Sequence, residues 1–282
     1  MAKSQTSGVI GAGSLGNGIA QVGAQAGYHV ILFDNSQEQL TRATGTIQKS
    51  LGKLAEKGKL KDTADNVGKL IKTTTRLEEL KPCDFVIEAA SENRQIKFKL
   101  VQDLDALLNK GVVIATNTSS ISITEIASKT KRAELVAGMH FMNPVPIMTL
   151  VEGIRGLQTS DECFKTVREV SENMGKVFIE AKDAPGFAVN RILMPMINEA
   201  FFALQEGLAT PKDIDQAMKL GCGFPMGPLE LADFVGVDIC LAVCEVLHRD
   251  LGDSKYRPCP LMRKYVEAGW HGRKSGRGVY VY

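Results

Sequence analysis

The sequence lacks an excess of either charge: 34 Lys and Arg stand against 32 Asp and Glu, for a net charge of +2. A balance that even argues against nucleic acid as a main partner. No apolar run reaches the length of a bilayer span, and the opening MAKSQTS has no apolar signal core. The expectation is therefore a cytoplasmic protein with no membrane partner. Six cysteines (Cys83, Cys163, Cys222, Cys240, Cys244, Cys259) form no CxxC pair and have no histidines interleaved at zinc spacing. That pattern reads as reduced, mostly buried thiols. Cys240 and Cys244 share a helical face without further ligands close by in sequence, so no metal site is expected. What is present is an ordinary globular composition, 44% hydrophobic and 23% charged over 282 residues, enough chain for about two domains.

The organising stretch runs from Ser7 to Asp34, SGVIGAGSLGNGIAQVGAQAGYHVILFD. A short apolar run enters a turn at Gly11, Gly13, Ser14, Leu15 and Gly16, leaves as a helix that Gly27 ends, and is followed by a strand, Tyr28 to Phe33, that stops at Asp34. Gly11 permits the tight turn, Gly13 lets backbone N–H groups approach a pyrophosphate, and Gly16 lets the helix lie close on the strand. The helix N-terminus faces the phosphates with its partial positive charge. Asp34 is placed to accept from a ribose diol and to repel a 2′-phosphate, which favours NAD over NADP. No lysine follows the glycines as a Walker loop requires, so ATP is disfavoured.

Beyond Asp34 a helical pattern spans about Ser36 to Gly58, with Ser36 as candidate N-cap. Lys49, Lys53 and Lys57 fall on one face of it, where like charges oppose one another by about 0.2–0.5 kcal/mol per pair. Either an anionic partner relieves them or the face is simply solvated. Strands follow at Ile71–Thr75, Asp84–Ala89 and Val112–Ala115, with an amphipathic helix between the last two whose inward residues are expected to be Ile96, Leu100, Leu104 and Leu107. Strands alternating with helices predict a doubly wound parallel sheet whose ligand lies beyond the strand C-termini. Two polar loops stand there: TNTSS (Thr116 to Ser120), and HFMNPVP (His140 to Pro146) after a strand at Glu134–Met139. Pro144 and Pro146 are expected to hold His140 and Asn143 at a fixed corner. A strand-end histidine is commonly structural; a position beyond a parallel strand, where a nicotinamide reaches, favours catalysis. A strand-like stretch at Thr149–Val151 leads into Glu152.

A helix at Asp161–Asn173 and a strand at Lys176–Glu180 precede KDAPGF (Lys182 to Phe187), where the pattern breaks and helices take over. The expected division is a dinucleotide domain over 1–183 and a helical domain over 184–282. The first helix of the second domain, about Phe187 to Gln205, is apolar nearly all round, and so suited to burial between domains or against a second subunit. Asn190 in its first turn is either a satisfied core amide or a residue aimed at a ligand. Thr210 and Pro211 start a further helix that Gly221 ends, and GFPMGPLELADFVGVD (Gly223 to Asp238) opens a third long one. Arg273, Lys274 and Arg277 in the tail either touch a phosphate or face water.

Taken together, GAGSLGNGIAQ, EAASEN, NTSS, HFMNPVP with Glu152 after it, APGFAVNR, GFPMGPLELADFVGVD and GRKSGRGVY resemble the L-3-hydroxyacyl-CoA dehydrogenase family, over essentially the whole chain and in the family's order. The resemblance implies a Rossmann-type NAD domain followed by an all-helical domain that mediates homodimerisation, and an acyl-CoA thioester as substrate. By position, His140 matches the family's catalytic histidine, Glu152 the carboxylate that orients it, Ser119 the serine near substrate and nicotinamide, and Asn190 the substrate-facing asparagine. Asp34, Glu92, Lys97, Asn143 and Lys274 match NAD-contacting positions, and Ser50 and Lys57 match CoA-contacting ones. The rival readings are a dehydrogenase of a free hydroxy acid such as L-gulonate, and a non-catalytic NAD-binding protein. Nucleotide-sugar dehydrogenases are disfavoured, since no cysteine stands in the APGF region.

Overall fold

Residues 5–282 are described in a computed structural model of the chain. Two compact units are present, Met1–Asp183 and Ala184–Tyr282. The first follows the order β1 (Thr6–Ile10), α1 (Ser14–Gln25), β2 (His29–Phe33), α2 (Gln37–Glu56), α3 (Ala64–Lys69), β3 (Ile71–Thr74), β4 (Phe85–Glu88), α4 (Arg94–Leu107), β5 (Val113–Thr116), α5 (Ile123–Ala127), β6 (Val136–Phe141), β7 (Leu150–Arg155), α6 (Asp161–Asn173) and β8 (Val177–Lys182). The strands form one eight-stranded sheet in the order β3-β2-β1-β4-β5-β6-β7-β8. Chain order reverses between β1 and β4, so the glycine turn after β1 lies at a topological switch point of a Rossmann-like sheet.

Local sequence explains these elements. Each central strand is a short apolar run, and β4 and β5 are buried at every residue, as strands covered on both faces must be. Helix α2 starts where the Ser36 side chain accepts from Gln39 N–H, and it buries Leu40, Ala43, Ile47 and Leu51 at helical spacing. Its opposite face carries Lys49, Lys53 and Lys57, all exposed. Helix α1 begins at Gly13 with no side-chain cap, and it buries Ile19, Ala20 and Val22.

The sheet departs from the all-parallel expectation at β7. Strand β6 pairs with β7 antiparallel, with His140 directly opposite Glu152. The connecting segment, 142–149, contains no helix and is shorter than the roughly dozen residues a parallel crossover needs, so the chain must return in the opposite direction. His140 therefore sits inside β6 rather than on a proline-held corner beyond the strand. Helix α4 also corrects the reading of its inward face: Ile96 is 52% exposed, while Lys97, Val101 and Leu104 are buried. The helix is turned by one residue because Lys97 finds an acid beneath it.

The second unit consists of α7 (Val189–Gln205), α8 (Pro211–Cys222), α9 (Pro228–Val235), α10 (Val237–Leu251) and α11 (Pro260–Glu267). Its core gathers Ile197 and Phe201 of α7 with Leu229, Ala232, Val237, Cys240, Cys244 and Leu247. The expected third long helix is two helices, broken at Gly236 with φ +109°, a conformation that glycine adopts without penalty. Helix α8 begins as expected, Thr210 accepting from Asp213 N–H with Pro211 first in the helix; it ends one residue past Gly221, at Cys222, and is capped by Gly223 in the left-handed conformation. Met194 of α7 is buried, whereas Ile192 is 73% exposed. No described helix is long and apolar enough to cross a membrane.

Candidate active site

The glycine turn meets the geometric demands of a dinucleotide. Gly11 holds φ +98°. A Cβ on Gly16 would fall 1.7 Å from the Gly11 carbonyl oxygen, so helix and turn approach as only glycine allows, while a Cβ on Gly13 would meet nothing within 4 Å. The uncapped start of α1 is thus open ground for an anion. At the end of β2, Asp34 accepts from Ala12 N–H at 2.8 Å through Oδ2 and from Ser36 N–H at 2.9 Å through Oδ1. These bonds hold its carboxylate against the glycine turn, and each oxygen retains accepting capacity for a ribose hydroxyl.

A second cluster lies beyond β4 and β5. Glu88 is fully buried, and its carboxylate accepts from Lys97 Nζ at 2.7 and 2.9 Å, from Ala90 N–H at 2.7 Å and from Thr116 Oγ1 at 2.6 Å. Lys97 is 1% exposed and also donates to the Ala90 carbonyl, so its ammonium is committed to a buried ion pair. The same Nζ lies 3.6 Å from Glu92 Oε2. Glu92 Oε1 in turn gathers the serine loop: it accepts from Thr118 Oγ1 at 2.6 Å, from the backbone N–H groups of Ser119 (2.9 Å) and Ser120 (3.0 Å), and from the Ser119 and Ser120 hydroxyls at 3.2 and 2.9 Å. Burial pushes the Glu92 carboxyl up, but the Lys97 charge and these donors outweigh it and leave the group below its ordinary value.

The third cluster is the pair on β6 and β7. His140 Nδ1 lies 2.7 Å from Glu152 Oε2, and Glu152 is fully buried. Cross-strand register sets this contact: residues directly opposite on an antiparallel pair bring their side chains together on one face. The contact at Nδ1 anchors the ring and fixes its orientation. Asn143 follows in the exposed connection, whose Val145 and Met148 carbonyls accept from Lys176 Nζ at 2.5 and 2.8 Å. With carbonyls as its partners, the buried Lys176 amine is held below its ordinary value by desolvation.

Asn190 and Lys274 belong to the second unit. Asn190 lies half-buried in the first turn of α7, and Lys274 donates to Asp238 Oδ2 at 2.7 Å. Ser50 and Lys57 lie on the lysine-bearing side of α2 and at its C-cap. Four buried cysteines are far from thiolate chemistry: burial pushes Cys83, Cys163, Cys240 and Cys244 up to about 12. No group of three or more candidate metal ligands exists among the described residues. Sequence reasoning missed Glu88, Asn117, Lys176 and Asp183. Asp183 accepts from Ser122 Oγ and from the N–H groups of Ile123 and Thr124, and so holds the far end of the serine loop. The available signal was an ionisable residue inside an apolar strand at Glu88, and a lysine entering one at Lys176.

Residues 6–184 match the model of the 3-hydroxyacyl-CoA dehydrogenase NAD-binding domain, and residues 186–282 match that of the C-terminal domain. The chain belongs to the 3-hydroxyacyl-CoA dehydrogenase family. It is thus an NAD-dependent oxidoreductase, and the glycine turn, open at Gly13, fits that cofactor. A Deinococcus radiodurans protein named "Probable 3-hydroxybutyryl-CoA dehydrogenase" is 55% identical over 275 residues, covering 98% of this chain and 99% of that one. The crystal structure of (S)-3-hydroxybutyryl-CoA dehydrogenase from Ralstonia eutropha superposes with a TM-score of 0.96 at 51% identity, covering 99% of both chains. Human mitochondrial hydroxyacyl-coenzyme A dehydrogenase is 40% identical over 282 residues, 97% of this chain and 90% of that one.

Proposed function

We propose that this chain interconverts (S)-3-hydroxyacyl-CoA and 3-oxoacyl-CoA, with the four-carbon pair 3-hydroxybutyryl-CoA and acetoacetyl-CoA as preferred substrates, and that His140 is its general acid and base. The observation that carries the chemistry is the 2.7 Å contact between His140 Nδ1 and the fully buried Glu152. In oxidation His140 Nε2 takes the 3-hydroxyl proton, and in reduction the protonated ring returns it to the forming alkoxide. Glu152 fixes the tautomer and stabilises the charge the ring acquires. Ser119, and Asn190 from the second unit, donate to the substrate oxygens. NAD, held by Gly11, Gly13, Ser14, Leu15, Gly16 and Asp34 with contacts from Glu92, Asn143 and Lys274, supplies the two-electron acceptor when bound; Lys97, expected from the resemblance to contact NAD, is buried against Glu88 and acts there through Glu92. The exposed lysine side of α2, with Ser50, takes the phosphates of CoA. The chain-length reading rests on the names of the relatives that match along nearly their whole length.

The second unit pairs with another copy of itself. Ile192, Leu208 and Leu220, at 73, 78 and 81% exposed, are apolar side chains that a second copy would cover.

The test is an initial-rate panel of 3-oxoacyl-CoA esters of increasing length with NADH, run on the wild type and on His140→Gln. The four-carbon ester should give the highest kcat/KM, and His140→Gln should lose about 10²–10⁴ in kcat while still binding NADH. A wild type that oxidises NADH only with free oxo acids, or a variant of near-normal turnover, refutes the reading.

A further inference from the structure

Strand β6 is held unequally along its length. On one side β7 follows it to the end, through Gly138, Met139, His140 and Phe141. On the other, pairing with β5 stops at Thr116 opposite Gly138. Beyond that point the β5 chain turns away, and Asn117 donates its own N–H to the Glu88 carbonyl at 2.7 Å. The end of β6 that carries His140 is therefore left without a strand backbone on its β5 side. The buried Phe141 N–H, the group next after the histidine, instead donates at 2.7 Å to Asn117 Oδ1. Asn117 is 5% exposed, so water is a poor substitute for that acceptor.

We infer that Asn117 is a positioning residue for the reaction: its side-chain carbonyl stands in for the missing β5 backbone and fixes His140 relative to the serine loop. The same residue begins the segment whose next three members, Thr118, Ser119 and Ser120, hang from Glu92. One side chain thus joins the strand of the proposed base to the loop of the proposed oxygen donor. Without it, β6 loses its hydrogen bond on the β5 side next to the histidine, and the tie that Asn117 makes between that strand and the serine loop is gone. Misplacement of a reacting group by about 1 Å can cost on the order of a hundredfold in rate, while the glycine turn and Asp34 share no hydrogen bond with Asn117. The effect should fall on turnover and spare nucleotide binding.

This inference rests on the role proposed above for His140, and its test includes a measurement that does not need activity. Asn117→Leu keeps the branching and number of heavy atoms and removes the acceptor; Asn117→Asp keeps an acceptor oxygen in place. Asn198→Leu is the control, because Asn198 is equally buried and its Oδ1 likewise accepts a backbone N–H, from Cys259 at 2.8 Å, in the second unit. The readouts are kcat and KM with acetoacetyl-CoA, the NADH dissociation constant by fluorescence, and the NMR resonances of the His140 ring and its bridging proton to Glu152. Asn117→Leu should lower kcat about ten- to a hundredfold, leave NADH binding within about threefold, and shift the His140 resonances. Asn117→Asp should stay within about fivefold of wild type with those resonances kept, and Asn198→Leu should lower thermal stability without moving them. A folded Asn117→Leu with unchanged turnover and resonances overturns the inference. Should that variant not fold, Asn117→Asp decides, since loss of the His140 signature with the acceptor retained also overturns it. A wild type inactive on CoA esters would refute the proposed function, while the resonances still report whether Asn117 sets the histidine.

Discussion

Removing Lys97 tests how much of the first unit depends on a charge that cannot reach water. Lys97 and Glu88 are 1% and 0% exposed and meet at 2.7 Å. Lys97→Met leaves a buried carboxylate with only the neutral donors of Thr116 and Ala90, and stranding one member of a buried pair typically costs about 3–5 kcal/mol. At about 2–4 °C per kcal/mol for a unit of this size, the unfolding midpoint should drop by about 6–20 °C. The double variant Glu88→Met with Lys97→Met removes both charges and should recover at least about 1–2 kcal/mol relative to Lys97→Met alone. Urea unfolding of the wild type, both single variants and the double completes the cycle. Because Lys97 also faces Glu92, Lys97→Met should lower kcat by releasing the serine loop, and the double variant should not restore it. Additive single effects, or a Lys97→Met protein as stable as wild type, would refute the argument.

Acid should release the same loop. The Glu92 carboxyl is held below its ordinary value of 4.5, so its grip on Thr118–Ser120 is complete above that value and is lost as pH falls through the lowered one; reversible loss of activity below about pH 4.5 should be seen in wild type, and Glu92→Gln, already weakened at neutral pH, should lack that step. On α2, Lys57→Glu should raise KM for a CoA ester by about fivefold, as expected for an exposed charge contact, and leave a truncated pantetheine ester unaffected; equal effects on both would return the lysines to a merely solvated face.

The dinucleotide half of the fold was legible because strand, glycine turn, helix, strand and Asp34 are contiguous in sequence. The apolar periodicity of α2 and the capping residues Ser36, Thr210 and Pro211 were readable for the same reason. Three features were not. Periodicity placed Ile96 inward on α4, but an ion pair with Glu88, from a different element, outweighs one isoleucine and turns the helix toward Lys97. The reversal at β7 depends on the length of a loop rather than on strand composition. The break at Gly236 lies in a glycine that local pattern alone tolerates within a helix. Of the residues carried over by resemblance, His140 and Glu152 are joined by the sheet, and Ser119, Glu92 and Lys97 by the cluster above β4. Asn117 was visible only as part of NTSS, since its partner, Phe141, becomes a neighbour only once the sheet is formed.

The packing around β7 has a consequence for how this enzyme can fail. A Cβ on Gly153 would lie 1.9 Å from the Phe178 ring, and one on Gly138 2.7 Å from Ile154 Cβ, so a slip of one residue between the two strands would drive a side chain into occupied space as well as swing the acid to the far face. The alignment of imidazole and carboxylate is thereby enforced by the neighbouring Phe178 and Ile154 side chains, which make no hydrogen bond to either in the sheet register. Damage along this edge of the sheet should therefore be abrupt, sorting variants into molecules whose chemistry survives nearly whole and molecules that never assemble, with few sluggish intermediates between them.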